Sequence, residues 1–253
     1  MADESQKKST LREYYEALLI AVIFVKFVHA FLFQPFKIPS PSMEDNLKVG
    51  DHVIVNKFIF GAGTTLGGLL PMRPIHRGDI IVFRYPKQPD IDYVKRAVGL
   101  PGDIVEIHNK RVFINGHELS EPYVIHEDEQ IYPPQDALPE PYRSRDQFKP
   151  FTVPPDQYFA MGDNRDRSSD SRYWGTVPRS LITGRPLMVY WSFRGTPPPA
   201  NSPTAARLRE LAGVVAHFFT RTRWDRTFFI VDSRYHYHSE ADTESAASTS
   251  FAP

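Results

Sequence analysis

Three separated segments hold residue types that hydrolytic chemistry needs. The first, Ile38 to Met43, reads Ile-Pro-Ser-Pro-Ser-Met. Its prolines hold the backbone extended and offer no N–H, so it does not suit a central strand and presents the Ser42 hydroxyl stiffly. A serine hydroxyl is a weak nucleophile until a base takes its proton. Lys95, in the second segment (Tyr93 to Asp103), is the candidate base. At an ordinary pKa of about 10.4 only about 0.04% of a lysine is neutral at pH 7. Burial among apolar groups lowers that pKa, and a value of roughly 7–8 makes a working base. Strand alternation puts Tyr93, Lys95 and Ala97 on one face and Val94, Arg96 and Val98 on the other. The third segment, Gly162 to Gly175, is dense in Asp, Asn, Ser and Arg. Ser168 can hydrogen-bond a lysine amine, and Asp170 with Arg172 can form a charge-assisted pair that stiffens the loop.

Each segment also has a plain structural reading: a turn serine, a solvated edge lysine, a polar turn. A calcium loop fits the third poorly, because Arg165 and Ser168 fill its third and sixth positions counted from Asp163. A Ser-His-Asp triad is a further alternative, since the chain has 9 histidines. His52 and His76 are nearest Ser42 in sequence, but neither has a recognisable catalytic context, and Gly-x-Ser-x-Gly is absent.

The elements that must position these residues begin with an apolar run. Ala17 to Phe33, extended by Tyr14 and Tyr15, gives about 20 residues, enough for a bilayer core of about 30 Å. Lys26 opposes insertion by about 2.5–3.5 kcal/mol, whereas the Leu, Ile, Phe and Val between Leu18 and Phe33 together favour it by roughly 4–7 kcal/mol. Lys7, Lys8 and Arg12 precede the run and only Lys37 closely follows, so the amino terminus is expected in the cytoplasm. A cleaved signal peptide, with Val28-His29-Ala30 at the cut, and a buried core helix are the alternatives. Glu13 and Glu16 disfavour the former.

Beyond the run, β-branched stretches bounded by Gly, Pro, Asp or Asn predict strands. They are Asp51–Asn56, Asp79–Arg84, Tyr93–Val98, Asp103–Ile107, Arg111–Ile114, Leu187–Phe193 and Arg226–Val231. Asn115-Gly116 predicts a tight hairpin turn. A short helix is expected over Leu208 to Phe219. Gly61 to Pro74 reads as a flexible apolar loop, with a dip into the lipid interface expected. Glu127 to Pro150 reads as an insertion loop and Ser239 to Pro253 as a disordered tail. No α–β alternation appears, so the expected class is mainly β: an antiparallel β-rich core preceded by one transmembrane helix. The 253 residues carry net charge +0, which argues against a nucleic-acid surface. The absence of cysteine excludes disulfides and thiolate chemistry. The 23 prolines suit short strands and turns better than a helical bundle.

Taken in order, the apolar run, Ile38–Met43, Gly50-Asp-His-Val-Ile-Val-Asn-Lys57, the Lys95 segment and Gly162–Gly175 resemble bacterial type I signal peptidase, a family of membrane-bound Ser/Lys endopeptidases. The resemblance covers the chain from about Tyr14 to Val231. It implies Ser42 as nucleophile, Lys95 as general base, and an oxyanion hole formed by the Ser40 hydroxyl and the Ser42 backbone N–H. Ser168 would orient Lys95, and Asp170 with Arg172 would support the site. Phe36, Ile38, Met43, Leu47, Val53, Val82, Tyr93 and Val94 match substrate-pocket positions and would favour small residues before the cut. The implied partners are signal-peptide-bearing preproteins, membrane lipid and the export translocon, with no cofactor or metal. The implied layout is a cytoplasmic segment 1–13, an anchor 14–33 in the bacterial inner membrane, an extracytoplasmic β catalytic domain 34–238 with a β-ribbon insertion at about 108–160, and the tail 239–253. The chain departs from the family at Asp45-Asn46, where many members have Pro-Thr. Two rival readings are a Ser/Lys self-cleaving repressor, disfavoured by the apolar run, and a non-catalytic membrane-tethered β module for envelope assembly or binding.

Overall fold

A computed structural model describes residues 10–44, 46–60, 73–133, 139, 142–195 and 203–231. Most of the Gly61–Pro74 loop, the centre of the Glu127–Pro150 segment, Asp45 and the polar tail from Ser239 lie outside the described residues.

The apolar run forms helix α1, Thr10–Phe27, which passes through a π-helical turn at Val28–Leu32. It contains neither Gly nor Pro, and Arg12 pairs with Glu16 one turn on at 2.8 Å. The most apolar 18 residues of this 23-residue span have mean hydropathy 1.9, and none of them is buried by the rest of the chain. At about 1.5 Å per residue it is long enough for the roughly 30 Å hydrocarbon layer. A soluble core helix would be covered, so that alternative fails here. Phe33, expected to close the span, instead opens a strand.

Among the described residues twelve strands follow: β1 Phe33–Lys37, β2 Asp51–Asn56, β3 Ile80–Tyr85, β4 Gln88–Gly99, β5 Ile104–His108, β6 Arg111–Ile114, β7 His117–Glu118, β8 Phe148–Thr152, β9 Gln157–Met161, β10 Val177–Pro178, β11 Ile182–Ser192 and β12 Phe229–Ile230. Two antiparallel sheets result. The larger runs β1-β2-β11-β3-β4-β9-β10, with β12 added on β11. The smaller runs β7-β6-β5-β8 and occupies the place of the expected β-ribbon insertion.

The expected strands recur, Asp51–Asn56 and Arg111–Ile114 with the same ends and the others with shifted ones, while β1, β7, β8, β9 and β10 were not anticipated. Pro35 and Pro150 disguise β1 and β8, yet both are sheet-edge strands, where a missing N–H is tolerated. At the hairpin turn, Asn115 and Gly116 take φ of 53° and 82°, both left-handed, as a two-residue turn requires. The expected strand at Arg226–Val231 shortens to β12, because Trp224–Arg226 forms a 3-10 turn that turns Arg226 onto buried Asp51. After two short helices, α2 Tyr142–Arg145 and α3 Ser171–Trp174, the expected helix becomes α4, Thr204–Ala216, and a separate turn, Phe218–Arg221.

Three apolar clusters hold the sheets. One joins Ile38, Met43 and Leu47 to Val53, Val82, Val94 and Val189. A second gathers Phe83, Ala97, Ala160 and Trp174. The third puts Val98, Phe159 and Met161 of the large sheet against Val105, Ile107 and Val112 of the small one. Strand β4 lies between β3 and β9 and contributes to all three, so Lys95 sits on a central strand rather than an edge. Phe159 is fully buried where the sheets meet. Phe159→Ala should cost about 3–5 kcal/mol, read from the denaturant midpoint of the full chain in detergent; a cost below 1 kcal/mol would remove this contact from the core.

Candidate active site

The chain leaves β1 through Ile38, whose N–H donates to Asp51 O while its carbonyl accepts from Gly50 N. These bonds fix the base of the loop that carries Ser42. Ser40 is extended (φ −133°, ψ 155°), and Pro41 opens a 3-10 turn, Pro41–Met43. Met43 and Leu47 anchor the turn in the first cluster. Ser42 is therefore held on a short proline-limited turn whose backbone is tied to the core on both sides.

Ser42 and Lys95 are 5% and 4% exposed. Lys95 Nζ donates to Ser42 Oγ at 2.5 Å. The amine also stands 5.5 Å from the centre of the Tyr93 ring, its same-face neighbour on β4. Burial lowers the Lys95 pKa from its ordinary 10.5 to about 8, with Asp170 and Asp163 pulling it back up and Arg172 pushing it further down. The Ser40 hydroxyl is 3.4 Å from that of Ser42.

Arg96 turns to the opposite face, as alternation requires, but it is not idle. Its guanidinium makes two hydrogen bonds to Asp163, of 2.8 and 2.6 Å, and a third to Gly78 O. Both side chains are fully buried, and the Tyr123 ring covers the guanidinium at 3.8 Å. Asp163 also accepts from Asn46 Nδ2 at 2.7 Å, and Asn164 N donates to Ser42 O. One carboxylate thus ties β4, the Ser42 loop and the polar loop together. Sequence reading passed over this role; the available signal was a charged residue alternating with apolar ones on a predicted strand. Asn46, noted only as a departure from the family, has a partner that Thr or Pro lacks the amide to supply.

The polar loop holds itself by ion pairs. Asp170 caps the short helix α3, Ser171–Trp174, and accepts from Arg172 Nε and an Arg172 terminal nitrogen, both at 2.8 Å. Burial alone would raise the Asp170 pKa, but the Arg172 charge and bonds outweigh it and keep the carboxylate below its ordinary range. Gly162 N donates to the same carboxylate at 3.1 Å. A Cβ on Gly162 would sit 2.3 Å from Ser168 Oγ and 2.5 Å from Ser42 O, so only glycine lets the loop approach this closely. The loop's carboxylates are engaged by protein groups, Asp163 by Arg96, Asp170 by Arg172 and Asp166 by the backbone N–H of Asp128, which leaves little of a calcium loop. Ser168 is placed differently from expectation. Its hydroxyl lies near enough to Asp170 to help hold that charge, yet it makes no hydrogen bond of good geometry and none to Lys95. The Lys95 amine is directed at Ser42 instead.

A cavity of about 290 Å³ opens at the two hydroxyls. Of the expected pocket residues, Phe36, Ile38, Met43, Tyr93 and Val94 line it. Leu47, Val53 and Val82 do not; they are buried in the same apolar cluster as Ile38, Met43 and Val94. Val53 and Val82 sit beside lining residues, paired with Phe36 and Val94 on neighbouring strands, so they belong to the packing of the sheet rather than to the opening. Ile91, Asp92, Arg167 and Ser169 line the cavity without having been anticipated. His52 stacks on Trp191 and His76 contacts Arg73, so both nearby histidines are engaged elsewhere.

Similarity to known proteins extends over most of the chain. The family described as "Signal peptidase, peptidase S26" matches residues 11–191. The chain belongs to this family. Membership makes it a peptidase, a hydrolase of peptide bonds. Signal peptidase I of Pseudomonas aeruginosa is 36% identical over 231 residues, 81% of each chain. Signal peptidase I of Pseudomonas fluorescens is 37% identical over 216 residues, 76% of each. Signal peptidase I P of Bacillus subtilis subsp. natto is 36% identical over 189 residues, 74% of this chain and 92% of the relative.

In this S26 peptidase the Lys95 pKa has a consequence for stability. The native value, about 8, lies below the ordinary 10.5, so between them the unfolded chain binds more protons and stability rises with pH. Below pH 8 the penalty for the buried charge, about 3 kcal/mol, is present in full. Lys95→Met should therefore be more stable than the parent at pH 7 by up to about that amount, with the difference closing toward pH 10.5. Thermal melts across this range check it; equal melting temperatures at pH 7 would mean that burial imposes no such penalty. Arg96→Met should destabilise by about 3–5 kcal/mol, because Asp163 is then buried without its cation. Arg96→Met with Asp163→Leu should recover much of the loss, measured by denaturant unfolding.

Proposed function

We propose that this chain removes signal peptides from exported preproteins at the outer face of the bacterial cytoplasmic membrane, with Ser42 as nucleophile and Lys95 as general base. The observation that carries this reading is the 2.5 Å contact between the buried Lys95 amine and the Ser42 hydroxyl. With the amine neutral the bond reverses, and the hydroxyl donates to the nitrogen lone pair. Ser42 Oγ then attacks the scissile carbonyl carbon as its proton passes to Lys95 Nζ. The Ser40 hydroxyl and Ser42 backbone N–H donate to the developing oxyanion. Lys95 returns its proton to the leaving nitrogen, and the new amino terminus departs. Water, deprotonated by Lys95, hydrolyses the ester on Ser42 and restores both groups.

The apolar residues of the cavity, with its volume of about 290 Å³, support a preference for small uncharged residues before the cut. Ser168 and the Asp170–Arg172 pair act as supports, Ser168 engaging the amine after it rotates from its present position. The anchor, α1 with its π-helical turn, leads straight into β1 and so sets the site close to the lipid surface. Lys7, Lys8 and Arg12 support an amino terminus in the cytoplasm, with the β domain from residue 34 outside. The export translocon, which releases such substrates at that face, is the expected neighbour.

Cleavage of an exported precursor by the purified full chain, with sequencing of the new amino terminus, tests the assignment. Ser42→Ala, Lys95→Ala and Lys95→Arg should each abolish cleavage, because Arg does not deprotonate. Turnover by Lys95→Arg would remove the lysine from the mechanism. The rate should rise with pH through about 8 as the amine loses its proton; a flat profile there would sink the base assignment. Ser40→Ala should lower kcat by roughly 10²–10³ with its melting temperature unchanged.

A further inference from the structure

Besides Lys95, two charged side chains border the cavity at Ser42: Asp92 on β4 and Arg167 on the polar loop. The other lining groups are apolar or neutral, so these two set the charge that an incoming peptide meets. Arg167 is also held in place. Its Nε pairs with Glu127 Oε2 at 2.8 Å. Glu127 Oε1 accepts from Asn164 Nδ2 at 2.8 Å, and Asn164 Oδ1 accepts from Arg167 N at 3.2 Å. Asn164 is fully buried, and its own backbone N–H donates to Ser42 O. One buried amide therefore braces the Arg167 backbone and the carboxylate that aims its side chain, in register with Ser42.

The pairing uses Nε and leaves the two terminal nitrogens of Arg167 without a partner among the described residues. Those nitrogens form the fork that grips a carboxylate. The side chain is 60% exposed, so the fork is open to an incoming peptide. The loop's other arginines are not: Arg165 and Arg172 are buried against Glu121 and Asp170.

The reaction fixes which part of a peptide passes this arginine. Phe36, Ile38 and Ser40 approach Ser42 along the chain leaving β1, and they supply the apolar wall and the oxyanion donor. The polar loop closes on Ser42 through Gly162, with Ser168 beside it, and its Asp170 acts on the Lys95 amine. Lys95 returns its proton to the leaving nitrogen, so the leaving segment departs past the amine on the side of this loop. Arg167 and Ser169 flank Ser168 there. Asp92 shares a face of β4 with Val94, beside the apolar wall. A carboxylate before the cut thus meets an anion, and one after the cut meets a cation.

We propose that Arg167 is a specificity-determining residue for the leaving segment: its guanidinium receives the carboxylate of an Asp or Glu within the first two residues after the cut and disfavours Lys or Arg there. This rests on the reading of Ser42 and Lys95 as nucleophile and base. Arg167 takes no part in bond breaking; it ranks substrates by charge.

The test measures kcat/KM of the full chain in nonionic detergent at low salt. Its substrates are soluble precursor peptides that differ only in the second residue after the cut, Asp, Ser or Lys. Mass spectrometry of both products fixes the cut. Asp should be preferred over Lys by about 3–10-fold, the scale of one exposed ion pair gained and one like-charge contact avoided. Added salt should erode the preference. Arg167→Gln should bring the ratio close to one, Arg167→Glu should reverse it, and Arg167→Lys should keep its direction at smaller size. Each enzyme is its own reference, so a general loss of activity does not move the ratio. No preference in the parent chain, or the same preference in Arg167→Glu, overturns the proposal and leaves Ser42 and Lys95 in their roles. A change in Arg167→Glu confined to charges placed before the cut also overturns it. A parent chain that cleaves none of the peptides overturns the proposed function, and this proposal with it.

Discussion

An ammonium group buried away from water is unstable unless it loses its proton or finds compensation, and the site is arranged around that constraint. Lys95 lies on a central strand with apolar neighbours, and its amine meets a hydroxyl rather than a carboxylate. Asp170 and Asp163 act on it through space, but each is already bound to an arginine, so their pull is partly cancelled. Were either carboxylate free to contact the amine directly, the charged form would be favoured and the lysine pKa would rise. The arginine partners therefore bear on reactivity as well as on loop shape.

The same ion pairs explain how parts distant in sequence converge. Asp163 takes Arg96 from β4 and Asn46 from the loop that carries Ser42. Asp51 takes Arg226 from the far end of the chain, and that arginine also reaches Asn46 O. The loop bearing Ser42 is thus braced from two sides by buried, hydrogen-bonded charges. Such pairs add little net stability relative to an apolar core of the same shape, but breaking one is expensive. Their effect here is to make one loop geometry much more favourable than its neighbours. Gly162 completes the approach, since any side chain would collide with Ser42 O and Ser168.

Some expectations failed for identifiable reasons. β1 and β8 were hidden by proline, which counts against a strand only when the strand is central; edge status is a property of the sheet and is not written locally. Leu47, Val53 and Val82 were assigned to the pocket by position, yet they pack beside the lining residues, and which members of a cluster reach an opening is set by the assembled sheets. Arg96 was read only as pointing away from Lys95. Nothing near it in sequence announces Asp163, 67 residues on. Ser168 stands near Gly162 and Asp170, but whether its hydroxyl meets Lys95 depends on a side-chain rotation that sequence does not encode.

The sequence alone determined what local chemistry dictates. Residue types and period set the length of the apolar run, the two faces of β4, the Asn115-Gly116 turn and the stiffness imparted by Pro39 and Pro41. It also supplied, in order, the groups able to act as nucleophile and base. Tertiary structure decided the rest, because proximity and burial are properties of the assembled sheets. Ser42 and Lys95 stand 53 residues apart in the chain and 2.5 Å apart in space. The fall in the lysine pKa exists only once strands and loops have removed water from around that one nitrogen.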